Sequence, residues 1–303
     1  MNSNHDEISS LLTKLTELGY RFTKKLNIRD SFSKPEKPSD TRRIIILDTE
    51  TTGINPNSDK IIELGMVAIE YHPKLREVFK IETFDELEDP LFPIPPESTK
   101  VHGITDEMVA GKKISDDAVL SFIKGAPLII AHNAKFDRVF IEKRFPFFEN
   151  VAWGCSFTQI DWAAESIGSG KLDYIAYSFG FHFDGHRASN DCHALLEILL
   201  KELPVSKDMA LRELIRNIRK NGIKISALNS RFEKKDTLKQ RGYFWNAVSK
   251  VWANEVSEEE LEDEIKWLRE NIYDNSPFLV EQETITALNR FSTRKGETVR
   301  VSY

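Results

Sequence analysis

Hydrophobic residues follow two patterns along this chain, one typical of buried strands and the other typical of helices. Residues 44–47 read I-I-I-L. Four consecutive apolar positions, three of them β-branched, predict a strand over 44–49 that is buried on both faces. Residues 60–71 predict a second strand, which would pair with the first through the loop between them. Residues 127–131 (P-L-I-I-A) predict a shorter buried strand.

Helical spacing of apolar residues alternates with these strands. It is present in residues 116–124, around 139–141 and in 189–203. The acidic, proline-bearing segment 82–96 instead predicts strand ends and surface loops. Strands that alternate with helices over residues 42–205 predict an α/β domain with a mixed central sheet.

Residues 1–41 precede this domain and predict an N-terminal helix followed by a linker. Apolar residues at helical spacing within 6–22 predict a short helix that packs on the main body or on a partner. The segment 31–40 is rich in Ser, Pro and Lys, a composition typical of linkers. The apolar residues of the helix are Ile8, Leu11, Leu12, Leu15 and Leu18.

Residues 206–303 lie beyond the alternating pattern and predict a small C-terminal α+β module. The module is predicted to begin with a helix over 206–220 and a strand over 223–228, followed by a short helix that ends at Gly242 and a hairpin that reaches Trp252. An acidic helix over 257–273 comes next, with Ser257 and Glu260 as its capping box. Residues 285–292 are predicted to close the module.

Composition describes an ordinary globular chain. The 303 residues are 40% hydrophobic and 30% charged, which allows two domains. The two cysteines, Cys155 and Cys192, form no C-x-x-C pair, which argues against a disulfide framework or a structural zinc site. No apolar run reaches membrane-spanning length, and the N-terminus shows no basic region followed by an apolar core. We therefore predict a cytoplasmic protein with no membrane partner.

Charge is unevenly distributed. The net charge of −6 excludes a wholly basic nucleic-acid binder, yet residues 207–250 hold 12 Lys and Arg against 4 Asp and Glu, a net of 12 − 4 = +8. Aromatic residues between these charges predict a nucleic-acid surface, because phosphates attract cations and bases stack on rings. The alternative is that Trp245, Trp252 and Trp267 form the core of a small domain. The interleaved aromatic residues are Phe232, Tyr243, Phe244, Trp245 and Trp252.

The first candidate chemistry lies where the first strand ends. Asp48 and Glu50 are two positions apart, and strand residues two apart share a face. Two like charges held side by side are costly unless a cation or a proton compensates them. The pair therefore predicts an Mg²⁺ or Mn²⁺ site.

Three further residues are candidate partners for this pair. Asp137 follows a buried strand and opens a helix, while His186 and Asp191 are separated by four residues near the start of the last helix of the domain. Taken alone, each is weak, because an Asp at a helix start is more often an N-cap and a lone His is more often structural.

The order of these segments strongly resembles the DEDDh exonucleases, the 3′→5′ exonucleases that include the proofreading epsilon subunit of bacterial DNA polymerase III. The order is D-x-E after a strand, then V-H-G-I-T at 101–105, then H-N-A-K-F-D at 132–137, then H-x-x-x-x-D. The resemblance spans roughly residues 43–203 and implies an RNase H-like mixed β-sheet flanked by helices.

The resemblance also implies two Mg²⁺ or Mn²⁺ ions and a role for each candidate residue. Asp48 would bridge both ions, Glu50 and Asp191 would complete one site, and Asp137 would serve the second ion largely through water. His186 would act as general base. The implied products are nucleoside 5′-monophosphates released from a 3′ end.

Substrate contacts are implied around the same site. The turn after the first strand would present backbone N–H groups to the terminal sugar, and the rings of His102 and Phe136 would stack on bases. Two alternatives stay open: Phe136 is a core residue, and His132 and Asn133 hydrogen-bond the loop that carries Asp137. The residues predicted to contact substrate are Thr49, Thr51, Thr52, Gly53, His102, His132, Asn133 and Phe136.

The predicted function is a metal-dependent 3′→5′ exonuclease acting on single-stranded 3′ ends, with DNA preferred over RNA. An exoribonuclease acting on RNA or short oligoribonucleotides is the alternative, because the 2′-hydroxyl is read by loops outside the motif. A non-catalytic binding module that retains a nuclease fold is less favoured, since a decayed site should have lost at least one acidic residue. The N-terminal helix and the C-terminal module are the predicted regions for a protein partner.

Overall fold

The computed structural model describes residues 3–29, 31 and 39–303 of the chain. In this described part the helices are α1 (Ser3–Glu17), α2 (Pro96–His102), α3 (Asp106–Val109), α4 (Asp116–Ile123), α5 (Ala134–Arg144), α6 (Leu172–Ser178), α7 (Ala188–Leu199), α8 (Ala210–Ile218), α9 (Lys235–Gln240) and α10 (Leu261–Asn271). The strands are β1 (Lys24–Lys25), β2 (Arg42–Thr51), β3 (Ile61–His72), β4 (Glu77–Leu87), β5 (Leu128–Ala131), β6 (Ala152–Cys155), β7 (Phe181–His182), β8 (Gly222–Ala227), β9 (Phe244–Asn246), β10 (Val251–Ser257), β11 (Leu279–Ile285) and β12 (Thr298–Ser302).

The main sheet is mixed and has the strand order β4-β3-β2-β5-β6. β2 pairs antiparallel with β3 and β3 with β4, whereas β5 runs parallel to β2 and β6 parallel to β5. Alternate residues of β2 enter two different cores: Ile44 and Ile46 pack on the side of α7, and Ile45 and Leu47 on the side of α5. Both faces of the strand are buried, which explains its unbroken apolar run. The predicted RNase H-like α/β fold, a mixed sheet flanked by helices, is confirmed.

The edge of this sheet differs from the prediction. The segment 82–96 was expected to supply only strand ends and loops, but β4 is a complete strand that pairs with β3 as far as Leu87. Apart from the buried Val78, its side chains are half-buried or exposed, because one side of an edge strand faces solvent. That exposure explains why the sequence of β4 is too polar to be recognised as a strand.

A close contact between β3 and α7 places the N-terminal end of that helix beside the sheet. A side chain at Gly65 would bring a Cβ within 2.5 Å of the Ser189 nitrogen and into the carbonyl of Ala188. Only glycine permits this approach. The thiol of Cys192 donates to the Gly65 carbonyl oxygen at 3.3 Å. The first turn of α7 is therefore held directly against β3.

The C-terminal residues form a second sheet in the order β12-β11-β8-β10-β9. One face packs on α9 and α10 through a core that includes Ile225, Leu238 and Leu268. The predicted hairpin is present, with Trp252 opposite Trp245. The acidic helix begins at Leu261 rather than at residue 257, because Ser257 is the last residue of β10. The predicted capping box is present: the Ser257 N–H donates to the Glu260 carboxylate, and the Glu260 N–H donates to the Ser257 hydroxyl.

The prediction that residues 285–292 close the C-terminal module is wrong, because most of that segment crosses to the other sheet. The Trp153 backbone N–H on β6 donates to the Ala287 carbonyl at 2.8 Å. Arg138 on α5 is fully buried and donates to the carbonyls of Leu288 at 2.6 Å and Arg290 at 2.7 Å. We call residues 286–294 the clasp. The module is closed instead by β12, which pairs with β11.

The N-terminal helix was predicted to pack either on the main body or on a partner. The first alternative is wrong, because most of the apolar side chains of α1 are exposed. Ile8 and Leu18 are 59% and 74% exposed, and Leu11 and Leu12 are also exposed. A partner for α1 stays a prediction. Of the predicted linker, residues 32–38 lie outside the described residues. Among the residues that are described, no helix is both long and apolar enough to cross a membrane.

Candidate active site

Three carboxylates converge at the end of β2. Asp48 and Glu50 project from the same face of the strand, the face that packs on α7, and Asp191 lies in the first turn of that helix. One carboxylate oxygen from each residue can be chosen so that all three lie within 4.8 Å of one another. All three side chains are half-buried. Hard oxygen ligands in this arrangement suit a divalent cation such as Mg²⁺ or Mn²⁺.

Asp137 approaches the group from the opposite side of β2. It lies in the first turn of α5, is 2% exposed, and accepts hydrogen bonds from the Thr49 backbone N–H at 3.1 Å and hydroxyl at 2.9 Å. Thr49 points towards α5 because it alternates with Asp48 and Glu50. Its side chain is 5% exposed, so the prediction that Thr49 contacts substrate is wrong for that side chain. Thr49 instead positions Asp137.

Crowding and burial hold protons on these carboxylates. Burial raises the pKa of Asp48, and the charges of Asp137, Asp191 and Glu50 raise it further. Burial, followed by the charge of Asp191, raises the pKa of Glu50 to about 8. Burial raises the pKa of Asp137 to about 7 and that of Asp191 to about 6. At neutral pH the cluster therefore favours either protons or a compensating cation.

The raised pKa values predict a pH-dependent stability. Because the folded carboxyls keep protons that the unfolded chain releases near pH 4, the folded state binds more protons between roughly pH 4 and pH 8. The contribution of these four groups to the free energy of unfolding is therefore greatest below this window and falls as pH rises through it. We expect a lower thermal midpoint at pH 8 than at pH 5.5 in EDTA, and Mn²⁺ should raise the midpoint most at pH 8.

Glu50→Gln provides the control for this prediction. Glutamine cannot titrate, so the thermal midpoint of the variant in EDTA should change less with pH than that of the parent. The contributions of all other titrating groups should remain. If the parent and the variant show the same slope by scanning fluorimetry, the coupling between Glu50 and stability is refuted.

An ion pair between a buried glutamate and a half-exposed arginine, beneath the cluster, is not among the sequence-based predictions. Glu63 on β3 lies opposite Glu50, is 0% exposed, and accepts from the Arg187 guanidinium at 2.6 and 2.8 Å. Its other oxygen accepts from the Ala188 N–H at 2.8 Å. The signal was present in the sequence, since Glu63 interrupts the apolar run of β3 and Arg187 directly follows His186. The pair anchors the loop before α7 to the sheet.

His186 lies in this anchored loop, at the mouth of the cluster. Its side chain is exposed and its backbone has a φ of +63°, which turns the chain sharply before α7. The Arg187 backbone N–H donates to Asp191 at 3.1 Å, and this hydrogen bond and the charge of His186 both lower the pKa of Asp191 against the effect of burial. His186 is thus close enough to Asp191 to affect its ionisation.

The turn after β2 is held together by its own side chains. The Thr51 hydroxyl donates to the Gly53 carbonyl at 2.6 Å, and the Thr52 carbonyl accepts from the hydroxyl of Ser98 at 2.8 Å. A Cβ at Gly53 would lie 2.6 Å from an Asp59 carboxylate oxygen. The turn is a fixed structure, and substrate contact through its backbone stays a prediction.

The rings predicted to contact bases are less accessible than expected. His102 is 5% exposed, its Nδ1 accepts from the Ile104 N–H at 3.0 Å, and burial lowers its pKa, so a base cannot stack on it as predicted. Phe136 is half-buried, packs against the core and lies 5.0 Å from the Phe140 ring centroid, which favours the core alternative.

The remaining two substrate candidates follow β5. His132 contacts the Ser156 hydroxyl through Nδ1 at 2.9 Å, beyond the end of β6, and burial lowers its pKa to about 4. It therefore does not bond the loop that carries Asp137. Asn133 is exposed, has a φ of +70° and precedes α5 without capping it through its side chain. Asn133 is the accessible one of the two.

Comparison of the sequence with known proteins identifies relatives of this chain. A family profile described as exonuclease (RNase_T) matches residues 45–199, just over half of the chain. The chain is similar to the DNA polymerase III subunit epsilon of Treponema pallidum (strain Nichols), with 32% identity over 161 residues, 50% of this chain and 72% of that protein. It is also similar to the PolC-type DNA polymerase III of Clostridium perfringens (strain 13 / Type A), with 31% identity over 51% of this chain.

The coverage of these relatives is uneven. The match spans only 11% of the Clostridium perfringens protein. Among solved structures, "Exonuclease X in complex with 5' overhanging duplex DNA" is 24% identical, covers 57% of this chain and 99% of its own chain, and has a TM-score of 0.40. The full-length 3′-exonuclease structure is 18% identical, with a TM-score of 0.44 and coverage of 58% of this chain and 66% of its own.

Proposed function

This chain belongs to the RNase_T exonuclease family, as its sequence motifs predicted, and on that premise we propose that it is a metal-dependent 3′→5′ exonuclease that shortens DNA. The observation that carries the proposal is the convergence of Asp48, Glu50 and Asp191, with Asp137 across the strand. Four carboxylates at a strand end, flanked by an exposed histidine, match the residue types that phosphodiester hydrolysis needs.

We propose that the carboxylates hold two Mg²⁺ or Mn²⁺ ions. The raised pKa values of the group support this, because a cation would relieve the repulsion that otherwise retains protons. Asp48, Glu50 and Asp191 would hold one ion, and Asp137 with Asp48 the other. When bound, the ions would polarise the scissile phosphodiester and make a water molecule more acidic.

The chain's own residues orient this chemistry. The Thr49 hydrogen bonds fix the carboxylate of Asp137. The Glu63–Arg187 pair fixes the loop from which His186 extends, so its imidazole can accept a proton from the attacking water. The fixed turn at Thr51–Gly53 would receive the terminal sugar through its backbone.

Removing the proposed base should slow the reaction without weakening cation binding. We expect His186→Gln to lower kcat by roughly 10²- to 10⁴-fold and to abolish the limb of the pH–rate profile that reports the base. The rise in thermal midpoint produced by Mn²⁺ should persist, because His186 is not a proposed ligand. His182→Gln, at an exposed histidine that contacts Thr23, is the matched control and should retain the parental rate. A His186→Gln variant with parental kcat would remove His186 from the mechanism.

DNA is the proposed polymer, and the names of the relatives support it, since two of them are DNA polymerase III proteins. The test is to incubate the protein and Mg²⁺ with single-stranded DNA, duplex DNA and RNA of matched sequence, each labelled at its 5′ end. We expect a ladder that shortens from the 3′ end, fastest on single-stranded DNA. Faster shortening of RNA would assign the alternative exoribonuclease, and no shortening of any strand would refute the enzymatic proposal.

The division into residues 1–41, 42–205 and 206–303 is likewise a proposal. The separate sheets support a division of the chain. The helix α8 lies on the exonuclease side of it, because Leu211, Leu214 and Ile218 pack in the core of the main sheet, and the clasp also joins the two parts. Binding of a protein partner by α1 or by the C-terminal module, and a cytoplasmic location, stay predictions.

A further inference from the structure

The outer edge of the C-terminal sheet exposes two aromatic rings. β9 is the terminal strand of that sheet, and Phe244 and Trp245 on it are 51% and 49% exposed. Successive strand residues point to opposite faces, so the two rings line both sides of the edge. Trp245 leans on Trp252, with ring centroids 5.6 Å apart and planes at 59°. This contact supports the Trp245 ring from one side and leaves the other side open.

Two exposed lysines, Lys239 and Lys250, flank these rings. Gly242 has a φ of +100°, its N–H donates to the Lys239 carbonyl at 3.1 Å, and the Tyr243 N–H donates to Leu238 at 3.0 Å. This pair of bonds is a Schellman turn, which fixes the end of α9 next to the start of β9. Lys250 lies in the four-residue loop that joins β9 to β10. In the part of the chain that the structure describes, neither lysine has a carboxylate partner, and both are exposed.

The charge around the edge is opposite in sign to that of the whole chain. Residues 231–252 hold 6 Lys and Arg against 2 Asp and Glu, a net of 6 − 2 = +4, whereas the full chain carries −6. Some of this charge is already neutralised, as in the pair between Arg241 and Glu264 at 2.9 Å. Lys239 and Lys250 are not neutralised in this way. A polyanion with flat apolar groups complements free lysines that alternate with exposed rings.

We propose that Lys239, Phe244, Trp245 and Lys250, which we call the hairpin edge, bind single-stranded nucleic acid. The lysines neutralise phosphates and the two rings stack on bases, a mode that tolerates any sequence. The proposal deepens the exonuclease assignment and rests on it for the identity of the polymer, since the strand bound here would be the substrate of the proposed nuclease. Of the three tryptophans in the core alternative, Trp245 is exposed, whereas Trp252 and Trp267 do pack against the core of the module.

The test is a binding measurement on the full chain that does not depend on cleavage. All variants are made in an Asp48→Asn background, and anisotropy of a fluorescein-labelled 30-nucleotide oligo(dT) is followed over a series of NaCl concentrations in EDTA. We expect Phe244→Ala and Trp245→Ala each to weaken binding about 10-fold. Lys239→Gln combined with Lys250→Gln should flatten the slope of log K against log [NaCl] by about 1.4.

Controls separate a binding effect from a folding effect. Lys74→Gln combined with Lys124→Gln removes two exposed lysines of the exonuclease sheet region and should leave the slope unchanged. Trp245→Phe keeps a ring and should recover most of the affinity lost in Trp245→Ala. Unchanged affinity and slope in the Phe244 and lysine variants would overturn the hairpin edge as a binding surface.

The two proposals can fail separately. If the parent shortens no labelled strand, the exonuclease assignment fails while the anisotropy result still decides the role of the hairpin edge. If the parent degrades DNA but the hairpin-edge variants bind it as tightly as their background, only the hairpin edge is refuted.

Discussion

Asp48→Asn is expected to reduce exonuclease activity and, at the same time, to stabilise the protein in the absence of divalent cations. Asparagine keeps the shape of the side chain but removes the charge that would bridge two ions. We expect a loss of roughly 10³- to 10⁴-fold in the rate of nucleotide release. Without a cation Asp48 folds only by keeping a proton that the unfolded chain releases, and asparagine removes this cost, so the thermal midpoint in EDTA should rise.

Single-turnover cleavage of labelled DNA and scanning fluorimetry measure the two effects in the same preparations. The shift in midpoint that Mn²⁺ produces in the parent should shrink in the variant, since a proposed ligand is gone. Asp117→Asn removes an exposed carboxylate at the start of α4 and should leave activity and midpoint unchanged. If Asp48→Asn cleaves at the parental rate, the proposed activity does not reside in this site.

Arg138→Met is expected to be the most destabilising single change among those considered, because it leaves several buried acceptors unpaired. The guanidinium of Arg138 is completely buried, pairs with Glu142 at 2.7 Å and donates to the carbonyls of Leu288 and Arg290. Methionine preserves most of the volume and none of the donors. Breaking a buried pair of this kind costs about 3–5 kcal/mol of the free energy of unfolding.

Urea unfolding, combined with limited proteolysis, tests this expectation. We expect new cleavage within the clasp, because its carbonyls lose their anchor, and a smaller free energy of unfolding. Arg138→Lys should recover only part of the lost free energy of unfolding. Lysine keeps the positive charge that pairs with Glu142, but its single ammonium cannot reach all the acceptors that the planar guanidinium reaches. Lys135→Met changes an exposed residue of the same helix and should stay within about 0.5 kcal/mol of the parent. A parental midpoint for Arg138→Met would mean that the clasp is not held by this residue.

The parts of the fold that sequence predicts are those encoded in local patterns. The apolar run of β2 and the D-x-E that follows it specify both a doubly buried strand and two carboxylates on one face. Asp137, His186 and Asp191 could be assigned because their order along the chain resembles a known family, and the structure brings their segments to the same strand end. By contrast, β4 is an edge strand whose polar composition lacks the periodicity of a buried one.

Long-range contacts explain the remaining differences. The Glu63–Arg187 pair joins residues 124 positions apart, and the Arg138 contacts with the clasp span about 150 positions. Neither contact can be recognised from a local sequence pattern. The only local sign of each is an unexpected charge: Glu63 in an apolar strand and Arg138 inside a helix. The roles of Thr49 and His102 were misjudged because family motifs indicate proximity to the site and not which way a side chain points. Thr49 faces α5, and His102 is buried with Nδ1 bonded to Ile104.

The clasp has a consequence for how the chain folds as it is synthesised. β6 and the buried guanidinium of Arg138 obtain their last hydrogen-bond partners from residues near 287–290. The main sheet can therefore collapse early, yet helix α5 and its neighbouring edge strand β6 stay incompletely packed until residues 287–290 have left the ribosome. Contacts of such high sequence separation slow the final folding step. A nascent chain that stops before the clasp would carry Asp137, one of the four carboxylates, on a helix that is not yet fixed.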